Sequence, residues 1–195
     1  NYARYGAALY TRGVMNVSRS TFTNNYALEE GGAIYVENQS AGNLTAVNNS
    51  FSGNQARFGG AIATYRLMTA TGNLFAQNHA REWGGAVYNS SNSQSTLTQN
   101  CISGNTAVNQ ARGVYSQTGN FNARNNWWGA TNGPGSAGSG DSVNSNVAYA
   151  PYLTANPGNC GAVSGTVTPT NTIAPPTLTS TRTYTPTASS TVTFT

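Results

Sequence analysis

Short apolar segments of three to five residues recur along the chain, and polar stretches rich in Asn, Ser, Thr and Gly separate them. One large apolar residue marks each copy, at intervals of 29, 24, 27 and 26 residues: Phe22, Phe51, Phe75, Ile102 and Trp128. Internal periods of about 20 to 50 residues are typical of solenoids, propellers and repeat arrays. The apolar runs are too short for helical repeats, and a propeller blade needs about 40 residues. We therefore predict an all-β fold, a single-stranded parallel β-helix of about five to six coils.

Two polar columns accompany this period. Three residues after the large apolar position the sequence reads Asn25, Asn54, Asn78 and Asn105, then Thr131, and two residues before it reads Ser20, Asn49, Asn73, Asn100 and Asn126. Stacked coils place equivalent residues about 4.8 Å apart, which lets neighbouring amides pair. We predict that Asn25, Asn54, Asn78 and Asn105 form a buried structural ladder.

A glycine motif completes the repeat. Gly-Gly-Ala followed by Ile or Val begins at Gly31, Gly59 and Gly84, and a Phe-x-x-Asn type of motif follows each copy. Such paired repeats resemble those of right-handed parallel β-helix surface proteins, including chlamydial polymorphic outer-membrane proteins, over roughly residues 1–130. Residues 125–129, with their paired tryptophans, resemble the closing turn of pectate-lyase-like repeat proteins. These relatives include adhesins, autotransporter passengers, lyases and glycosidases, so the resemblance implies a right-handed helix but leaves the function open.

The composition divides the chain into two parts. Residues 1–162 are predicted to form the β-helix, closed by a C-terminal cap at about 129–162. Residues 163–195 are rich in Thr, Ser and Pro and are predicted to be a disordered linker. The chain starts within a repeat at Asn1, which indicates a processed or truncated piece of a longer protein.

Charge and cysteine content favour a secreted or cell-surface protein. Only 7% of residues are charged, and the net charge of +4 comes from nine arginines without any lysine, unlike the basic patch of a nucleic-acid binder. No apolar run is long enough to be a transmembrane helix. The two cysteines, Cys101 and Cys160, leave two alternatives open, a disulfide or a pair of unpaired thiols. The sequence predicts no oligomeric state.

Acidic residues are scarce, which argues against catalysis in this segment. The chain has five of them, at Glu29, Glu30, Glu37, Glu82 and Asp141. The glutamates before two Gly-Gly corners lie two coils apart, about 9–10 Å, which reaches the carboxyl separation of an inverting glycosidase. Solvated corner charges are the simpler interpretation, with Arg81 and Glu82 as a surface pair. We expect no catalytic residue, no cofactor and no metal site here.

An aromatic stripe is the strongest candidate for binding. Tyr35, Tyr88 and Tyr115 are predicted to point outward from equivalent positions, while Ala63 interrupts the stripe in the third coil. Arg57, Arg81 and Trp83 are predicted to lie at the adjoining corner, with the arginine charges unopposed. Two interpretations stay open. The rings stabilise the sheet by stacking, or together with the arginines they bind a sugar chain.

The function predicted from the sequence is that of a non-catalytic, adhesin-like β-helix module that contacts an extracellular glycan or a cell-surface protein. The alternative is a polysaccharide lyase or glycoside hydrolase of the pectate-lyase-like fold, whose catalytic coils lie outside this segment.

Overall fold

A computed structural model describes residues 1–38, 42–119, 121–135 and 137–158 of the chain. The predicted linker at 163–195 and Cys160 lie outside the described residues, so both stay predictions. Cys101 is disulfide-bonded and buried. Its side chain lies on the outer side of its strand, with Sγ 3.6 Å from Oδ1 of Asn156.

The described residues form twenty β-strands and no helix. The first coil comprises β1 (Tyr2–Tyr5), β2 (Leu9–Thr11), β3 (Val14–Ser18) and β4 (Thr21–Thr23), and the second β5 (Tyr26–Glu30), β6 (Ile34–Val36), β7 (Asn43–Val47) and β8 (Ser50–Ser52). The third comprises β9 (Gln55–Phe58), β10 (Ile62–Thr64), β11 (Met68–Thr71) and β12 (Leu74–Ala76), and the fourth β13 (His79–Trp83), β14 (Val87–Asn89), β15 (Ser95–Thr98) and β16 (Cys101–Ser103). The last strands are β17 (Thr106–Ala107), β18 (Val114–Ser116), β19 (Phe121–Asn122) and β20 (Val147–Ala148).

Equivalent strands of successive coils pair in parallel and build four sheets. Sheet I contains β1, β5, β9, β13 and β17, and sheet II contains β2, β6, β10, β14 and β18. Sheet III contains β3, β7, β11, β15, β19 and β20, and sheet IV contains β4, β8, β12 and β16. The prediction of an all-β parallel solenoid is therefore confirmed, and the structure has about five turns where five to six coils were predicted.

Strands of neighbouring coils pair in the register that the columns of the sequence predict. Phe22 pairs with Phe51, Phe51 with Phe75 and Phe75 with Ile102. The phenylalanine rings stack at 4.9 and 5.0 Å between centroids, and all three are buried. Because each coil repeats the inward residue of its neighbour, one continuous apolar core runs along the axis.

Two chains of hydrogen-bonded asparagine side chains run along the axis of the solenoid. In one, Asn25 Nδ2 donates to Asn54 Oδ1 at 2.8 Å, and the same bond links Asn54 to Asn78 and Asn78 to Asn105 at 2.9 Å. The last acceptor is Asp141 Oδ2, 2.7 Å from Asn105 Nδ2. Thr131, the next residue of the sequence column, is exposed, and the closing loop brings in Asp141 instead. A parallel chain joins Asn49, Asn73, Asn100 and Asn126.

The Gly-Gly corner joins sheet I to sheet II. Gly59 has a positive φ of 64°, which glycine adopts without a steric penalty. A Cβ on Gly60 would lie 2.2 Å from the carbonyl oxygen of Gly85. The repeated glycine pair therefore lets the backbones of successive coils approach closely where the chain turns.

Candidate functional site

An aromatic edge runs along the molecule where sheets I and II meet. It consists of the rings of Tyr5, Tyr10, Tyr35, Phe58, Tyr65, Trp83, Tyr88 and Tyr115, each in contact with at least one other member. The parallel register produces this edge, because Tyr10 pairs with Tyr35 and Tyr88 with Tyr115. The three tyrosines and Trp83 named from the sequence all belong to it.

The edge is continuous across Ala63. Ala63 is completely buried, and Tyr65, two residues further on, fills the place of the missing ring. Its ring lies 6.0 Å from that of Tyr35 and 6.1 Å from that of Tyr88. The expected interruption is therefore wrong, because the side chain of Tyr65, the residue directly after β10, reaches back into the stripe.

Stacking limits how much of each ring a ligand could touch. Tyr88 lies parallel to Tyr115, with 4° between the ring planes and 5.7 Å between centroids, and it keeps only 5% of its surface exposed. Tyr10, at the start of the edge, is 43% exposed. Inside the stack, neighbouring rings cover one another, and the hydroxyl groups of Tyr65 and Tyr88 donate to Glu30 and Gln117. At the start of the stack, the Arg12 guanidinium lies 5.6 Å from the centroid of the Tyr10 ring.

The charge of Arg57 is opposed on two sides, contrary to the expectation of free arginine charges. Its Nε lies 2.6 Å from Glu82 Oε1, and its Nη1 lies 3.5 Å from Glu29 Oε2. The register shifts in β5 and β13 bring these two glutamates to the rows on either side of Arg57. Its guanidinium also lies 4.9 Å from the centroid of the Phe58 ring.

Arg81 does not form the surface pair with Glu82 that the sequence suggested. Its Nη2 donates to the carbonyl oxygen of Leu28, and its guanidinium lies 5.6 Å from the centroid of the Tyr26 ring. The reason is that Glu82 is engaged by Arg57 from the preceding coil. Arg57 and Arg81, the two arginines proposed for ligand contact, therefore both interact with other groups of the protein.

Glu30 belongs to this region, although the sequence had placed it among the solvated corner charges. It stands in the same row position as Tyr5 and Phe58. The Tyr65 hydroxyl donates to Glu30 Oε1 at 2.8 Å, whereas the buried Oε2 has no hydrogen-bond partner among the described residues. Burial raises the pKa of Glu30 and, as the leading cause, also that of Tyr65. Glu30 is thus not the solvated corner charge expected; its position directly before Gly31 was the available signal.

No cluster of three metal-ligating side chains exists within the described residues. Nor does that part of the chain contain a helix that is long and apolar enough to cross a membrane.

One family match concerns the repeat itself. The Chlamydia polymorphic membrane protein repeat matches residues 19–37 and 50–65. The chain is therefore similar to this repeat over those two segments. Each matched segment contains one strand of sheet IV, the buried asparagine that follows it, and the next strands of sheets I and II. No curated protein and no solved structure matches the chain significantly.

The polymorphic membrane protein repeat covers only part of the aromatic edge. Tyr35 and Arg57 lie in matched segments, whereas Arg81, Trp83 and the last two tyrosines lie outside them. The name of the matched family describes its members as membrane proteins. The resemblance to pectate-lyase-like proteins is not confirmed by these comparisons.

Proposed function

We propose that this chain is a non-catalytic, surface-exposed adhesion module whose aromatic edge contacts an extended glycan on another cell surface. The observation that carries the proposal is the continuity of the edge, from the 43% exposed Tyr10 to the half-buried Tyr115. Large exposed aromatic patches on soluble domains frequently mark interaction sites. The polymorphic membrane protein repeats support a location at the cell surface.

The state of the carboxylates supports the non-catalytic part of the proposal. Glu29 and Glu82 pair with Arg57, and Glu37 pairs with Arg12. Tyr65 holds Glu30, and the asparagine ladder ends on Asp141. These are all five acidic residues of the chain, and each has a partner within the protein. A lyase or glycosidase needs a carboxylate that can reach substrate as acid, base or nucleophile.

The shape of the edge agrees with an extended partner. Equivalent residues of successive coils recur about every 4.8 Å on a rigid parallel sheet. Tyrosine supplies a large amphipathic surface with little conformational entropy to lose on binding. A long, aromatic stripe of this kind suits a polymer that lies along the axis better than a compact small molecule.

Adhesion of beads coated with the protein to cultured cells tests the proposal. We expect coated beads to adhere, and treatment of the cells with periodate, which oxidises glycans, to abolish adhesion. A Tyr10→Ser/Tyr35→Ser variant should reduce adhesion at least about fivefold, because it removes two neighbouring rings of the edge. Val14→Ser serves as the matched control, since Val14 is exposed in the same coil but lies on sheet III.

Two results would overturn the proposal. One is that coated beads adhere no better than uncoated beads. The other is that the double tyrosine variant, with an unchanged circular dichroism spectrum, adheres as well as the Val14→Ser control. Adhesion that resists periodate but is lost after trypsin treatment of the cells would replace the glycan with a protein partner.

A further inference from the structure

A polar groove lies at the end of the aromatic edge, between the segment before β18 and the segment before β20. Asn109 and Gln110 line one wall, Asn144, Ser145 and Asn146 line the other, and Tyr115 is the aromatic residue between them. The groove has a volume of about 580 Å³, within the range of about 300–1,000 Å³ that is usual for small-molecule sites.

Tyr115 is the last ring of the stack, and its two faces differ. Trp83 stacks on it at 5.2 Å with 13° between the planes, and Tyr88 stacks on it at 5.7 Å. Both rings belong to the fourth coil, so both cover the face of Tyr115 that points toward that coil. No ring of the described residues packs on the opposite face, which borders the groove.

The residue that follows Tyr115 in the next rung does not cover this face. Val143 pairs with Val114, which places Asn144 in the rung beyond Tyr115. The Asn144 amide turns instead to the backbone of Ser116, where Oδ1 accepts from the Ser116 N–H at 3.0 Å and Nδ2 donates to the Ser116 carbonyl at 2.8 Å. Asn146 Nδ2 also donates to that carbonyl, at 3.0 Å. These bonds fix the wall and engage both amides with the backbone of Ser116.

The remaining polar groups suit hydroxyl-rich ligands. Asn109 and Gln110 are exposed, and their side chains offer both donors and acceptors. None of the residues that line the groove carries a charge. A carboxylate or phosphate on a ligand would therefore lose its hydration without meeting a cation, whereas sugar hydroxyls can pair with the amides.

We propose that this groove binds a neutral saccharide, with one sugar ring stacked on the free face of Tyr115 and its hydroxyls bonded by Asn109 and Gln110. The inference rests on the proposed function, since it identifies the end of the aromatic edge as a subsite that binds part of the glycan. The inference also implies a preference for neutral over acidic saccharides, because Arg57 is neutralised by Glu29 and Glu82.

Titration calorimetry with the full chain tests the proposal. The probes are short neutral gluco- and galacto-oligosaccharides and the uronic-acid oligosaccharides of matched length. We expect at least one neutral probe to bind at least tenfold more tightly than its uronic-acid counterpart. Asn109→Ala/Gln110→Ala should weaken that binding at least tenfold, and so should Tyr115→Leu, which keeps apolar volume but removes the ring face. Gln94→Ala is the control, since Gln94 is exposed and lies outside the groove.

Some results would overturn the groove and others support it. If no neutral probe binds, if uronic-acid probes bind equally well, or if the double amide variant binds like Gln94→Ala, the inference is wrong. Bead adhesion separates this failure from that of the proposed function. If adhesion depends on Tyr10 and Tyr35 but is unchanged in the groove variants, the proposed adhesion function is supported and saccharide binding in the groove is refuted. If the chain binds a neutral saccharide, the groove variants lose this binding and coated beads do not adhere to cells, saccharide binding in the groove is supported and the proposed adhesion function is refuted.

Discussion

The asparagine ladder gives the sharpest test of what holds the coils together. Asn78 is completely buried at its centre. Its Oδ1 accepts from the backbone N–H and the Nδ2 of Asn54, at 3.0 and 2.9 Å, while its Nδ2 donates to the Phe51 carbonyl and to Asn105 Oδ1, at 3.0 and 2.9 Å. The substitution Asn78→Leu keeps a side chain of similar length and removes all four hydrogen bonds.

The expected cost follows from these bonds. Each hydrogen bond contributes about 0.5–1.5 kcal/mol net, so four of them give about 4 kcal/mol. The Asn54 N–H is buried and loses the acceptor it has in the native protein, which adds the desolvation penalty of an unpaired donor. Burial of the leucine side chain offsets about 1–2 kcal/mol of this loss. We therefore expect Asn78→Leu to lower the free energy of unfolding by about 3–5 kcal/mol.

Equilibrium urea denaturation, followed by circular dichroism, measures this loss, and amide hydrogen exchange at Asn54 gives a local readout. Asn16→Leu is the matched control, because Asn16 is an exposed asparagine on a strand of sheet III. It should change stability by less than about 0.5 kcal/mol. An Asn78→Leu variant as stable as this control, with unchanged exchange at Asn54, would refute the reasoning that the ladder stabilises the core.

Two further substitutions test the corner and the buried carboxyl. Gly60→Ala places a Cβ 2.2 Å from the Gly85 carbonyl oxygen, so it should lower the free energy of unfolding by about 3 kcal/mol. Gly119→Ala, where a Cβ meets nothing within 4 Å, should leave it unchanged in the same urea assay. Burial raises the pKa of Glu30, so the stability that its protonated form contributes is full below the unfolded-state pKa and is lost as pH rises through the native-state pKa. Glu30→Gln should therefore match the wild type at about pH 4 and exceed it in stability at about pH 8; a difference that shrinks with rising pH would contradict this.

Much of the architecture could be predicted from local repetition. A period of 24 to 29 residues and short apolar runs indicated stacked strands, and the Phe22, Phe51 and Phe75 column gave the register that the sheets have. This works in a solenoid because each coil buries its core against a near copy of itself, so one repeat largely defines the environment of the next. The resemblance to the polymorphic membrane protein repeat could be identified from the sequence for the same reason.

The details of the aromatic edge could not be predicted in this way. Tyr65 lies outside its column, and only the fold returns its ring to the gap at Ala63. Arg57 was expected to be free because carboxylates are scarce in the chain, yet β5 and β13 bring Glu29 and Glu82 beside it. Such pairings depend on the register shifts of neighbouring coils, which the sequence period does not encode.

The sequence by itself thus determined the repeating parts of this protein, namely the strands, the inward columns and the glycine corners. Only the tertiary structure decided the parts that break the repeat. Asp141 ends the asparagine ladder because the closing loop carries it there, and Tyr115 borders a groove because Asn144, and not another ring, occupies the next rung. The physical reason is that columns specify contacts between equivalent residues, whereas loops, register shifts and the end of the coil bring together residues that have no equivalent.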